Sequence, residues 1–246
     1  ANAMLPKGLV SWFTKPPLFL WDSESHRSIF EGVRLFKNQS FRHNDMVDLE
    51  ARIVRHKDSL TIVVLVEGAY SMSGDVPPHT SLNCIKKKHG FFLIVDQAHS
   101  VGVLGDDGLD RTLDADIRIV AFSKFSGCFG GLLLGPTKAL SVIRSTASNE
   151  SLQYPRSSLR PLHGVLDAIE DGTVAKNART VRRLGEYAYD RLVQTGWSPR
   201  SESHILTINI GGLGDSAFLL QQWCIRRGVY FVMAAYPATP SRFTVA

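Results

Sequence analysis

The residue types that could do covalent chemistry follow two apolar segments of the chain. Phe91–Val95 is an apolar run that ends at Asp96, and His99 comes three residues later. A second apolar run, Ile117–Phe122, leads through a serine into Lys124. Because ligands of open parallel sheets bind beyond the carboxyl ends of the strands, we expect these side chains to meet at one site.

An amine and a carboxylate at neighbouring strand ends suit the chemistry of pyridoxal phosphate. This cofactor needs an amine to form an imine and a carboxylate to keep its ring nitrogen protonated, so that the ring accepts electrons. The glycines after Lys124 would let the backbone approach the cofactor closely. Taken singly, Asp96 could cap a helix and Lys124 could be a solvated loop lysine. Together they favour a cofactor carried as a Schiff base on Lys124.

The pattern of apolar and amphipathic segments predicts the elements that position these residues. Short apolar runs alternate with longer amphipathic segments, as in α/β proteins with a mostly parallel sheet. Several runs are apolar throughout, which is typical of strands covered on both faces. The predicted strands are Leu18–Trp21, Thr61–Val66, Phe91–Val95, Arg118–Phe122 and Leu132–Leu134, and helices are predicted near Ser25–Phe36 and Thr80–His89.

The predicted organisation has a large domain over residues 1–158, a connecting helix over 159–195 and a small α+β lobe over 196–246. The lobe would contain a strand at His204–Ile210, a helix near Ser216–Arg227 and a strand at Val229–Met233. The chain opens at Ala1 without an initiator methionine and stops inside a strand-like segment. We therefore expect both ends to be truncated, with the start of the large domain missing.

Composition excludes several classes of protein. The 246 residues are 44% hydrophobic and 21% charged, as in ordinary globular proteins. The longest apolar runs are far shorter than the roughly 20 residues that cross a bilayer. Three cysteines without CxxC spacing suggest neither a disulfide framework nor zinc, so we expect a cytoplasmic protein without a metal. The net charge of +5 is scattered, and we expect no nucleic-acid partner.

Five motifs in series resemble the α-oxoamine synthase family, which includes 8-amino-7-oxononanoate synthase, serine palmitoyltransferase and 2-amino-3-ketobutyrate CoA ligase. The resemblance covers nearly the whole chain and implies pyridoxal-phosphate fold type I. Its most specific strings are Glu67–Asp75 and Asp96–Gly105. The motifs are His26-Arg27-Ser28-Ile29, Arg42-His43-Asn44-Asp45-Met46, Glu67–Asp75, Val95–Gly105 and Phe122-Ser123-Lys124.

The resemblance assigns roles to four residues around the cofactor ring. It implies that Lys124 carries the cofactor and, once released, removes the α-proton of the amino acid. Asp96 would pair with the ring nitrogen. His99 would form a hydrogen bond with the phenolic oxygen and help orient an acyl thioester. His26 would stack on the ring, although a capping or core histidine is the alternative.

Further residues would bind the cofactor and the substrate. Ser71 matches a serine that hydrogen-bonds the cofactor, and Arg242 matches an arginine that receives the substrate carboxylate, with an exposed strand arginine as the alternative. Ser157 or Ser158 would contact the phosphate of a partner subunit. The Arg42–Asp45 segment is interpreted as a structural turn with a helix N-cap.

The sequence departs from the family pattern at several positions. Ala121 stands where a threonine usually binds the cofactor phosphate, so Ser123 would have to substitute for it. A Gly-aromatic dipeptide that also contacts the phosphate would lie just before Ala1. Gln97 replaces an acidic residue, Leu109-Asp110 replaces Arg-Gly, and Ala238 replaces a frequent threonine near the substrate. These changes leave the substrate open.

The implied activity is a decarboxylating condensation of an amino acid with an acyl-CoA in a homodimer. Two alternatives remain at this point. An aminotransferase would use Asp96 and Lys124 without acyl-CoA, and the Glu67–Asp75 string argues against it. A non-catalytic subunit of a heteromeric synthase would fit Ala121 but not the presence of Lys124.

Overall fold

A computed structural model describes residues 2, 5–147, 159–213, 216–234 and 244–245. The chain forms two compact units. The first contains residues 1–69 and 76–178, and the second contains residues 70–75 and 179–246. The second unit is therefore assembled from two separate stretches of the sequence.

The first unit is built on a six-stranded sheet with the order β2-β1-β3-β4-β5-β6. Neighbouring strands from β2 to β5 are parallel, and β6 is antiparallel to β5. The predicted mostly parallel α/β sheet is therefore confirmed. The strands are β1 (Pro17–Asp22), β2 (Asn38–Phe41), β3 (Thr61–Glu67), β4 (Phe92–Asp96), β5 (Ile117–Ala121) and β6 (Gly131–Leu134).

Helices cover both faces of this sheet. Successive side chains of a strand point to opposite faces, and in β1 Leu18 and Leu20 belong to one apolar cluster while Phe19 belongs to the other. The first cluster includes residues of α3 and α4, and the second includes residues of α1, α2 and α6. The helices are α1 (Leu5–Val10), α2 (Arg27–Val33), α3 (Met46–His56), α4 (His79–His89), α5 (Phe122–Phe125), α6 (Thr137–Ala147), α7 (Leu159–Glu170) and α8 (Thr173–Gln194).

The two outer strands differ from the sequence-based expectation. Leu132 and Leu134 of β6 are 44% and 45% exposed, so the expectation that this strand is covered on both faces is wrong. The strand is exposed because β6 is the outermost strand of the described sheet. An apolar run of residues does not indicate whether a strand lies at the edge or in the centre of a sheet. Strand β2 was not predicted, since Asn38–Phe41 is mostly polar and owes its conformation to pairing with β1.

The second unit combines most of α8 with short strands and one further helix. Its four strands have the order β7-β8-β10-β9, and all neighbours are antiparallel. This α+β character agrees with the predicted lobe. The elements are β7 (Pro199–Arg200), β8 (Thr207–Asn209), α9 (Ser216–Ile225), β9 (Met233–Ala234) and β10 (Thr244–Val245).

None of the helices within the described ranges is long and apolar enough to span a lipid bilayer.

A turn over residues 70–75 belongs to the second unit and is held there by polar contacts. The guanidinium of Arg200 donates through Nε to Asp75 Oδ1 at 3.0 Å. The carbonyl of Gly74 accepts bonds from the backbone of Glu202 and the hydroxyl of Ser203, both at 2.9 Å. A Cβ at Gly74, whose φ is +74°, would lie 2.1 Å from the carbonyl oxygen of Ile205. Only glycine fits this position.

We expect Gly74→Ala to lower the free energy of unfolding by at least about 2 kcal/mol, as measured by urea denaturation. The left-handed conformation alone costs about 1 kcal/mol for alanine, and the clash with Ile205 requires the backbone to move as well. Gly196→Ala is the matched control, because Gly196 has a φ of +86° and no described atom within 4 Å of the added Cβ. Equal losses in the two variants would contradict the packing argument.

Candidate active site

Acidic residues end three neighbouring strands of the large sheet. Asp22, Glu67 and Asp96 are the last residues of β1, β3 and β4, and Glu67 pairs in register with Asp96. Strand β5 leads directly into the short helix α5, which carries Lys124. The carboxyl ends of these parallel strands therefore gather three carboxyl groups and one lysine, including the predicted pair Asp96 and Lys124.

The lysine lies against a histidine from the neighbouring loop. Lys124 Nζ is 2.7 Å from His99 Nε2, although the two residues are 25 positions apart. Lys124 and Ser123 are exposed, so the amine is accessible. Ala121 precedes α5 and provides no side-chain hydrogen bond to its first turn. The structure thus joins Lys124 with His99, as expected from the sequence.

Asp96 is 7% exposed and its carboxylate has two donors. The backbone N–H of Ala98 donates to Oδ1 at 3.0 Å, and the side-chain amide of Asn2 donates to Oδ2 at 2.6 Å. The same amide donates to Ser28 Oγ at 2.9 Å. Asn2 and Ser28 were missed at the level of sequence. Nothing in the sequence relates Asn2 to a residue 94 positions away, whereas Ser28 stood in a quoted motif without a role.

His26 caps the helix that begins next to it. Its Nδ1 accepts from the backbone N–H of Ser28 at 3.2 Å and lies 2.8 Å from Ser28 Oγ. The backbone N–H of His26 donates to a carboxyl oxygen of Glu67. His26 is exposed although its Nδ1 accepts the capping hydrogen bond, so the cap leaves the side chain accessible.

Glu67 is the most strongly perturbed acid among the described residues. Burial raises its pKa from 4.5 to about 8, and the charges of Asp96 and Asp22 act in the same direction. The hydrogen bond from the His26 backbone opposes this effect but does not overcome it. Glu67 is therefore predominantly protonated at neutral pH.

Asp22, at the end of β1, has a structural role. Its carboxylate is fully buried and accepts from His43 Nδ1 and from the backbone N–H of Asn44, each at 2.8 Å. Asp45 then caps α3 by accepting from the N–H of Asp48. The predicted structural turn and N-cap in this segment are confirmed.

Two departures from the family pattern contact each other. The side-chain amide of Gln97 donates to the backbone oxygen of Asp110 at 2.5 Å and to its Oδ2 at 3.2 Å. Both residues are buried. The amide at position 97 is thus matched by the carboxylate at position 110, and the two substitutions form one local unit.

The remaining predicted residues belong to the second unit or fall outside the described ranges. Ser71 is part of the turn in the second unit. The residues Arg242, Ser157, Ser158 and Ala238 lie outside the described part of the chain.

The mostly parallel sheet and the residues at its carboxyl ends define an α/β domain of fold type I. The family model described as aminotransferase class I and II matches residues 22–246, and the chain belongs to this family.

Within the aminotransferase class I and II family, this chain is similar to the following proteins. A serine palmitoyltransferase of Bacteriovorax stolpii is 28% identical in an alignment 248 residues long, which covers 93% of this chain and 56% of that protein. A putative 8-amino-7-oxononanoate synthase of Acetivibrio thermocellus is 29% identical over 232 residues, covering 89% of this chain and 58% of the relative. A solved structure of SPT with PLP has a TM-score of 0.85 at 25% identity and covers 99% of this chain and 64% of that one.

These similarities confirm the resemblance to the α-oxoamine synthases. The chain spans little more than half the length of the two relatives, at 56% and 58%.

Replacing Glu67 by glutamine should remove a pH dependence of stability. In the parent protein the folded state keeps the proton of Glu67 up to about pH 8, whereas the unfolded state loses it near pH 4.5. The free energy of unfolding therefore falls as the pH rises between these values. Glu67→Gln keeps an acceptor for the His26 N–H and should be more stable at pH 8 by on the order of a few kcal/mol.

Urea denaturation at several pH values from 5 to 8 would test this expectation. Glu186→Gln, which changes an exposed glutamate, is the matched control. The difference between Glu67→Gln and the parent should widen with pH, and parallel curves would contradict the assignment.

Proposed function

We propose that this protein is a pyridoxal-phosphate-dependent acyltransferase. It would condense an amino acid with an acyl-CoA to give an α-amino ketone, with release of carbon dioxide and free CoA. The observation that carries the proposal is the contact of Lys124 Nζ with His99 Nε2 beside the buried Asp96. The family and the names of the relatives support the same reaction class.

The residues present fit the ring half of pyridoxal phosphate. Lys124 and His26 are exposed, and the carboxylate of Asp96 is buried and held by two donors. The hydroxyl of Ser123 is the nearest candidate for a phosphate contact in place of Ala121. When bound, the cofactor withdraws electrons from the amino acid, so that its α-proton becomes acidic and a carbon–carbon bond can form there.

Side chains of this protein would bind the cofactor and transfer the protons. Lys124 would hold the cofactor through its amine, and the free amine would accept the α-proton of the amino acid at Nζ. His99 Nε2 lies within hydrogen-bond reach of that nitrogen, which suits general acid–base chemistry. Asp96 would pair with the ring nitrogen, and the imidazole of His26 would pack against the ring.

The other assignments rest on the family resemblance. Ser71 would hydrogen-bond the cofactor, and the guanidinium of Arg242 would bind the substrate carboxylate in a bidentate manner. Ser157 or Ser158 would reach the partner subunit of a homodimer. The large domain, connecting helix and small lobe would keep the boundaries predicted from the sequence. The three cysteines of the chain are free, which suits a reducing cytoplasm.

Lys124 should be the residue that pyridoxal phosphate modifies. After incubation with the cofactor and borohydride reduction, mass spectrometry of the peptides should find the phosphopyridoxyl group on Lys124. Lys124→Ala should lose this label together with the near-visible absorbance. Lys138→Ala, which changes an exposed lysine of α6, is the control and should keep both. Labelling spread over surface lysines in all three proteins would overturn the assignment.

The condensation itself should be visible as release of free CoA. With the cofactor, a panel of amino acids and a panel of acyl-CoA thioesters, the protein should release CoA and carbon dioxide in equal amounts, and Lys124→Ala should release neither. Consumption of a 2-oxo acid without CoA release would identify an aminotransferase. Cofactor binding without either reaction would favour a non-catalytic subunit.

A further inference from the structure

One hydrogen-bonded chain connects the two residues that would hold the cofactor ring. The amide of Asn2 reaches Asp96 Oδ2 at 2.6 Å and Ser28 Oγ at 2.9 Å, and Ser28 Oγ lies 2.8 Å from His26 Nδ1. The members come from three separate parts of the first unit, namely residue 2, residues 26–28 and residue 96. Side chains so distant in sequence meet here because the carboxyl ends of β1 and β4 lie at the same end of the sheet.

The chemistry of the groups fixes the direction of each bond. A carboxylate oxygen only accepts, so the atom of Asn2 that faces Asp96 is the amide nitrogen. That nitrogen carries two hydrogens, and its two acceptors, Asp96 Oδ2 and Ser28 Oγ, use both. The hydrogen of the Ser28 hydroxyl then remains available for His26.

The backbone N–H of Ser28 determines which nitrogen of His26 accepts the hydrogen bonds. The N–H of Ser28 can only donate, and it donates to His26 Nδ1 at 3.2 Å. Nδ1 is therefore an acceptor, and the ring proton resides on Nε2. The Ser28 hydroxyl can donate to the same nitrogen, so the bonds run from Asn2 to Ser28 to His26 without a conflict of donors.

We propose that Asn2 and Ser28 are positioning residues that hold the Asp96 carboxylate and the His26 imidazole in the arrangement that receives the cofactor ring. This inference rests on the proposed function, because it needs pyridoxal phosphate as the ligand. The Asn2 amide is the branch point, since it bonds Asp96 directly and His26 through Ser28. The Asn2 Oδ1 atom is buried and has no hydrogen-bond partner, so among the described residues the side chain makes its polar contacts through the amide nitrogen.

The hydrogen bonds predict different effects on cofactor binding for substitutions at Asn2 and at Ser28. Removing the Asn2 amide frees one oxygen of a buried carboxylate and also breaks the link to Ser28. Removing the Ser28 hydroxyl frees only the imidazole. Loss of a hydrogen bond to a charged group corresponds to about tenfold or more in affinity, and loss of a bond between neutral groups to less.

The test uses pyridoxal phosphate itself as the probe. Its dissociation constant is measured by equilibrium dialysis, and its visible circular dichroism reports how rigidly the ring is held. Asn2→Ala should weaken binding at least about tenfold and reduce the dichroism per bound cofactor. Ser28→Ala should reduce the dichroism with a smaller change in affinity, and Ser28→Thr, which keeps the hydroxyl, should restore it. Asn177→Ala, at an exposed asparagine, is the control.

The outcomes separate this inference from the proposed function. If the parent protein does not bind the cofactor, the proposed function fails. If the parent binds but Asn2→Ala and Ser28→Ala match it in affinity and dichroism, the positioning role fails alone.

A double variant and the melting temperature sharpen the result. Because both residues act on His26 through one series of hydrogen bonds, Asn2→Ala combined with Ser28→Ala should reduce the dichroism by less than the sum of the two single losses. Additive losses would contradict the chain. Thermal unfolding without cofactor monitors the fold, and if Asn2→Ala does not fold, the pair Ser28→Ala and Ser28→Thr decides.

Discussion

Burial of three carboxyl groups at the ends of adjacent parallel strands is the constraint on which the rest of this site depends. Transferring an unpaired carboxylate out of water is very costly, so each group must find donors or keep a proton. Asp22 and Asp96 find donors, whereas Glu67 keeps its proton. These hydrogen bonds hold three segments at the carboxyl ends of the strands: the loop after β2, the start of α2 and Asn2.

This arrangement gives the three acids different functions although they occupy equivalent positions in the sheet. A carboxylate with two donors and little exposure, such as Asp96, is suited to a cationic partner. A carboxyl that holds its proton, such as Glu67, adds no negative charge near Lys124 at neutral pH.

Much of the fold and the central pair of site residues could be predicted from the sequence. The apolar runs that became β1, β3, β4 and β5 have residues buried on both faces, and that burial is what makes a run continuously apolar. The carboxyl-end rule for parallel sheets then placed Asp96 and Lys124 together.

What could not be predicted depends on contacts between distant segments. Strand β2 is mostly polar and forms through its neighbour, while the edge position of β6 follows from the order of strands rather than from its residues. The Asn2 amide meets Asp96 only in three dimensions. The raised pKa of Glu67 results from burial, which the residue type does not reveal.

The turn at residues 70–75 has a consequence for how the molecule is made on the ribosome. It emerges directly after β3, but Asp75 must wait for Arg200, which is added 125 residues later. The second unit therefore cannot complete itself until Arg200 has been synthesised. The contacts of this turn with Arg200 and Glu202 span more than 120 residues, and contacts of such high sequence separation form slowly. A fragment that begins at residue 179 would lack this turn and leave Arg200 without its carboxylate.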